Sequence, residues 1–186
     1  MSSDPQKKSG CCLFTLLKML LALLVIGAGL IAAIGFLVLD GKYEVTRDVT
    51  INAPPEAVHK QVGDLREWPN WLPFTKHDPS VKTTIVQPTG VGANQHWTSN
   101  GGTGTLNVTE SDDQKGIAYT MMFDEKYPAE GWITYSRNGD ETKVTWRMTG
   151  QNSDFMGKWL AAVMPYMVGP AFEGGLKDLK AKVEAK

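Results

Sequence analysis

Acid–base chemistry near neutral pH would fall first to histidine, and the chain has three: His59, His77 and His96. His59 follows the core-facing Val58 on a short helix, so helical spacing turns it toward solvent. His77 sits in a loop before Asp78 and Pro79, and His96 alternates with Trp97 along a strand, which points it away from the apolar face. Scattered in this way they offer neither a general base for a buried substrate nor the three or four converging ligands that zinc requires. The only cysteines, Cys11 and Cys12, lie far from them at the N-terminus. No metal, cofactor or catalytic residue is therefore assigned. Gly101, Gly102 and Gly104 fall between two strands, where they read as a hairpin rather than a phosphate loop. Asp124, Glu125 and Glu130 flank a loop at the end of the expected sheet. They would be acids at a cavity mouth in an enzyme, or ordinary solvated charges.

A second kind of chemistry, capture of an apolar molecule, is better supplied. The apolar parity of the expected strands collects Gln95 and Trp97, Leu106 and Val108, Ile117, Tyr119, Met121 and Phe123. It continues with Ile133 and Tyr135, then Val144, Trp146 and Met148. Such a wall suits an apolar ligand fixed by a few hydrogen bonds, and it equally suits a filled core in which methionine closes gaps. Arg47 is the one charge on the inward parity of its strand. It would fork a ligand carboxylate or phosphate, or form an ion pair at the sheet edge. In the segment 64–74, Trp68 reads as packing, and Trp71 and Phe74 as rim. The expected cavity lining is thus Arg47, Trp71, Trp97, Tyr119, Met121, Phe123, Ile133, Tyr135, Trp146 and Met148.

The elements that must position these residues follow from periodicity. Residues 43–52 alternate Val45, Arg47, Val49 and Ile51 with polar partners, the pattern of a half-buried strand. Pro54 and Pro55 end it and open a short helix at 56–62. Strands are expected near 81–87, 94–99, 104–111, 116–124, 131–137 and 142–150. Turn residues separate them, including Tyr127-Pro128 and Asn138-Gly139-Asp140. The tail, 153–186, is helical, with Phe172, Leu176, Leu179 and Val183 on one stripe. Pro165 and Pro170 should kink or split its first half. The order predicts an α+β domain: a curved antiparallel sheet wrapped round a long C-terminal helix.

Ahead of the domain, residues 19–39 run without a charge, enough for a helix to cross a hydrocarbon core of about 30 Å. A secretory h-region is normally about 7–15 residues, so an uncleaved transmembrane anchor fits better than a signal peptide. Gly27, Gly29 and Gly35 do not by themselves establish helix pairing, since glycine is common in membrane helices. Lys7, Lys8 and Lys18 precede the helix, and Lys42 and Arg47 follow it. That slight excess places the N-terminus in the cytoplasm and the domain outside, on the periplasmic side of the inner membrane if the host is bacterial. Cys11 and Cys12 are either palmitoylation sites or plain interfacial thiols. The division is an N-terminal segment 1–18, a span 19–39 and a folded domain 43–186. Across all 186 residues the formal net charge is −1, which excludes the strong basic bias of a nucleic-acid binder.

Particular segments of the domain resemble the SRPBCC superfamily, whose START-like helix-grip fold serves lipid-transfer domains and polyketide cyclases. They are INAPPEAV at 51–58 and DLREWPNW at 64–71 with Pro73, Asp78 and Pro79. Gly92, Trp97, Gly104-Thr105-Leu106, TKVTW at 142–146, and FEGGL at 172–176 with Leu179 and Lys180 complete the set. More narrowly, the chain is similar to membrane-anchored bacterial proteins of the polyketide cyclase/dehydrase kind. The resemblance implies a helix-grip fold and a membrane-tethered site for a hydrophobic small molecule or lipid between sheet and helix. It leaves two alternatives open, a cyclase or dehydratase acting through Tyr119, Tyr135 and Arg47, and a protein-interaction module with a filled core.

Overall fold

The computed structural model describes residues 9–72 and 78–185, with side chains from Phe14 onward. Lys7, Lys8, Pro73, Phe74 and His77, and the side chains of Cys11 and Cys12, lie outside the described residues. The chain divides into two compact units, Met1–Asp40 and Gly41–Lys186. Among its described residues the first holds one helix, α1 (Ser9–Leu37), of which Phe14–Leu37 is long and apolar enough to cross a membrane. It begins ahead of the apolar run, taking Lys18 within it.

The second unit opens with β1 (Lys42–Ile51), α2 (Pro55–Val62) and the single turn α3 (Trp68–Trp71). Six strands follow: β2 (Lys82–Gln87), β3 (Asn94–Ser99), β4 (Gly102–Asp112), β5 (Gly116–Phe123), β6 (Tyr127–Asn138) and β7 (Glu141–Gln151). The helix α4 (Phe155–Glu184) closes the chain. All pairs are antiparallel, in the order β1-β7-β6-β5-β4-β3-β2. This is an α+β helix-grip architecture, an open curved sheet with a long helix against its concave face, as the periodicity predicts.

One element differs from expectation. Residues 127 and 128 are not a turn: β6 starts at Tyr127, and Pro128 pairs with Met122 of β5. Pairing of β6 with β7 begins one residue later, at Ala129, so the proline stands where β7 asks for no amide donor. Helix α4 is not split at Pro165 and Pro170 but continues through both. Each proline removes one i→i−4 bond, and the apolar burial of Ala161, Met164, Val168 and Phe172 holds the helix together across both.

Glycine shapes the concave face. Trp97 pairs directly with Gly104, Tyr119 with Gly131, and Tyr43 with Gly150. At each glycine a Cβ would overlap the opposite ring. Each ring therefore lies flat across the neighbouring strand, a packing open only to a strand residue without a side chain.

Candidate functional site

At the centre of the concave face lies an aromatic cluster drawn from four elements, β5, β7, α3 and α4. Trp146 of β7 stacks on Phe172 of α4, centroids 3.7 Å apart and planes 7° apart. Its other neighbours are Trp71 of α3, edge-on at 5.6 Å, and the Tyr119 hydroxyl, to which its indole N–H donates at 2.7 Å. Trp68 touches both Trp71 and Tyr119, at 5.5 and 5.8 Å. The two α3 tryptophans also complete α2: the Trp68 N–H donates to the Val62 carbonyl and the Trp71 N–H to that of Gln61. Both carbonyls belong to the last turn of α2, where no intrahelical donor remains. Trp71 is therefore fully buried and belongs to the packed floor of this face, not to a rim.

Of the expected lining residues, Trp71, Tyr119, Ile133, Tyr135, Trp146 and Met148 are brought together in the buried core. Trp97, Met121 and Phe123 stand at its edge, only partly covered, and so does Leu160 of α4. There Trp97 and Phe123 meet edge to face at 5.8 Å, both paired to Gly104. The concave face is thus graded: filled where α4 and α3 press on β7, half open where β3, β4 and β5 carry Trp97, Phe123 and Met121. Two open hollows lie elsewhere, about 590 Å³ beside Glu44, Glu130 and Thr149, and about 400 Å³ beside Glu110, Asp112 and Trp132. Neither includes any of the ten expected lining residues.

Arg47 takes the ion-pair course. Its Nε donates to Glu173 of α4 at 2.5 Å and its Nη1 to the Thr46 carbonyl at 2.8 Å. With side chains 37 % and 63 % exposed, the pair is wet and contributes about 0–1 kcal/mol. Gly169 of α4 leaves the space into which the guanidinium fits.

Sequence reasoning missed His59. Rather than facing solvent, it is half-buried, with Nδ1 3.3 Å from the Tyr135 hydroxyl and Nε2 3.3 Å from the Ser111 hydroxyl. A β-bulge between Val108 and Glu110 shifts the parity of β4, which reassigns Ser111 to a face that simple alternation denies it. Burial lowers the proton affinity of His59, against the opposing pull of Asp113 and Asp112. Burial also raises the hydroxyls of Tyr119 and Tyr135 and pushes Tyr43 up to about 12. At neutral pH all three tyrosines are phenols, not phenolates. Among the described residues no three His, Cys, Asp or Glu converge as a metal site.

A family model described as polyketide cyclase / dehydrase and lipid transport matches residues 42–184. Among solved structures, protein CV1439 from Chromobacterium violaceum is 19% identical, covers 77% of this chain and 98% of its own, and superposes with a TM-score of 0.58. TTHA0849 from Thermus thermophilus is 22% identical over 75% of this chain and 96% of its own, TM-score 0.54. The protein Ara h 8.0201 is 17% identical over 76% and 97%, TM-score 0.55. At these identities the likeness is one of fold. A comparison with curated proteins finds no match.

Proposed function

Since the chain belongs to the polyketide cyclase / dehydrase and lipid transport family, we propose that its domain holds an apolar small molecule, lipid- or isoprenoid-like, against the half-open part of the concave face. The observation that carries this reading is the grading of that face. Trp97, Met121 and Phe123 form an incompletely covered apolar surface beside a rigid floor of Trp146, Trp71 and Phe172. A ligand laid there that removes roughly 300 Å² of apolar surface from water gains about 7 kcal/mol before the costs of association. The neutral tyrosines on the same face supply polar points without demanding a charged ligand. The helix Phe14–Leu37 serves in this reading as a membrane tether for the domain 43–186, with the N-terminus cytoplasmic and the domain outside.

Native mass spectrometry of the full chain, released from mild detergent with organic extraction of the bound mass, tests the proposal. A reproducible apolar adduct is expected, and it should be lost in Trp97→Glu or Phe123→Glu, both at partly exposed positions that tolerate a charge. A chain that stays free of adduct and takes up no fluorescent apolar probe would overturn it.

A second reading, a cyclase or dehydratase, is favoured by one contact, His59 beside Tyr135. A neutral imidazole accepts a proton, and an un-ionised phenol can protonate a departing hydroxyl. Under this reading His59→Gln abolishes turnover of a hydroxylated polyketide-like substrate while leaving its binding intact. Unchanged turnover removes His59 from the chemistry.

A further inference from the structure

The two halves of α4 differ in composition. From Trp159 to Phe172 the helix contains no charged residue, whereas Glu173, Lys177, Asp178, Lys180, Lys182 and Glu184 follow within its last turns. The uncharged half has one face to bury against the sheet, and it does so with Ala161, Met164, Val168 and Phe172. Its opposite face is apolar as well. Val163 and Met167 fall on one line at 3.6 residues per turn, with Tyr166 beside them, and Met156 extends that line ahead of Lys158. Val163, Met167, Tyr166 and Met156 are 42 %, 63 %, 82 % and 66 % exposed. A surface helix of a water-soluble domain carries polar residues on that side, and a helix apolar all round is one that is covered on both sides.

The path of the chain indicates what covers it. The backbone N–H of Asn152 donates to the Gly41 carbonyl at 2.9 Å, two residues before Asp154 caps the start of α4. Val38, Leu39 and Asp40 alone separate Gly41 from Leu37, the last residue of the apolar helix α1. Four residues extend at most about 14 Å, so Gly41, and with it Asn152 three residues ahead of α4, is leashed that closely to the end of α1. Tyr166 adds a ring type that settles where hydrocarbon meets headgroup.

We propose that the outer face of the N-terminal half of α4, Met156, Val163, Tyr166 and Met167, lies in the interfacial layer of the lipid bilayer that holds α1. The inference rests on the tethered reading above and goes beyond it. The domain does not hang free on its leash but lies on the bilayer through α4, with the helix that covers the apolar face in contact with the phase in which an apolar ligand dissolves.

Depth measurement on the full chain tests this. In a background with Cys11→Ser and Cys12→Ser, a polarity-sensitive fluorophore is attached at Val163→Cys or Met167→Cys. Leu24→Cys marks the span, and Glu141→Cys marks the β6–β7 turn at the far end of the strands. The protein is reconstituted in vesicles of phosphatidylcholine with a minor share of phosphatidylglycerol. Labels at 163 and 167 are expected to emit blue-shifted and to lose most of their intensity to nitroxide-bearing lipid, as the label at 24 does. The label at 141 should answer only to aqueous iodide. Iodide quenching at 163 and 167 with no response to nitroxide lipid overturns the proposal, and so does a label at 24 that the lipid quencher cannot reach. Protection at 163 and 167 that vanishes at one chain per vesicle assigns the face to a second copy and overturns it as well. Adduct capture is read separately in detergent, so a captured ligand without docking sinks this inference alone. Docking without a captured ligand sinks the ligand reading alone.

Discussion

Trp146 is the residue on which the concave face turns, because it joins β7, α3 and α4 through ring contacts and ties β5 through one hydrogen bond. Trp146→Ala should destabilise the domain by about 3–5 kcal/mol in urea unfolding, the range for loss of a large buried aromatic. Tyr119→Phe keeps the ring and removes only the acceptor, so the indole N–H is left buried and unpaired at a cost of about 1–3 kcal/mol. Equal stability of Tyr119→Phe and the parent would show that the bond contributes nothing. His59 gives the pH prediction. Burial sets its folded affinity for protons below the unfolded value of about 6.5, so the unfolded chain binds the proton more readily. Stability from this source is complete above pH 6.5 and declines as pH falls below it toward the folded value. The urea midpoint should therefore fall between pH 7 and 5 in the parent and stay flatter in His59→Gln. The hydrogen-bonded carboxylates of Asp64, Asp112 and Asp154 have lowered affinities, so their contribution is lost only at lower pH and does not overlap this window. Apolar residues such as Trp146 were legible from alternation alone. His59 was not, because its partners Ser111 and Tyr135 are 52 and 76 residues away and one of them stands beyond a bulge.

At the scale of elements, the strands were readable because each carries a period of two, and their ends were readable where glycine or asparagine turns the chain. Tyr127 and Pro128 misled because proline ordinarily excludes a strand, and the reason it does not here, the late start of pairing with β7, is a property of register. Of the two outcomes expected at Pro165 and Pro170, a kink or a split, the split does not occur, because packing of the next turn against the sheet holds the helix in one piece. The glycines opposite aromatic residues were visible as residues but not as pairs, since pairing needs the register. They make a sharp test. Gly104→Ala pushes a methyl group into the Trp97 ring and should cost about 1–3 kcal/mol, the usual cost of overpacking. In a Trp97→Ala background the same substitution should cost next to nothing, and the double-mutant cycle reads the difference directly. Equal penalties in both backgrounds would place the strain in the backbone of β4 and not in the ring.

For the whole molecule, the division at Asp40 and Gly41 has a mechanical consequence. The core of the second unit, from Tyr43 to Leu179, draws only on residues beyond Gly41. Residues 41–186 alone should therefore unfold in urea with the same midpoint as the full chain in micelles, and a large drop on truncation would mean that α1 contributes to the fold. Orientation is a separate matter, because it depends on which side of a bilayer the flanking cations remain. Lys7, Lys8 and Lys18 against Lys42 and Arg47 is a narrow excess, and only basic residues near the span carry weight. The expected outcome in a bacterial host is an active alkaline phosphatase and a dark green fluorescent protein when each is fused after Lys186, since the first needs an oxidising exterior and the second fails there. Lys7→Gln, Lys8→Gln and Lys18→Gln together remove the excess and should shift part of the population to the opposite pattern. If the parent fusion already fluoresces, the domain faces the cytoplasm, and any ligand it holds must then be drawn from the inner leaflet.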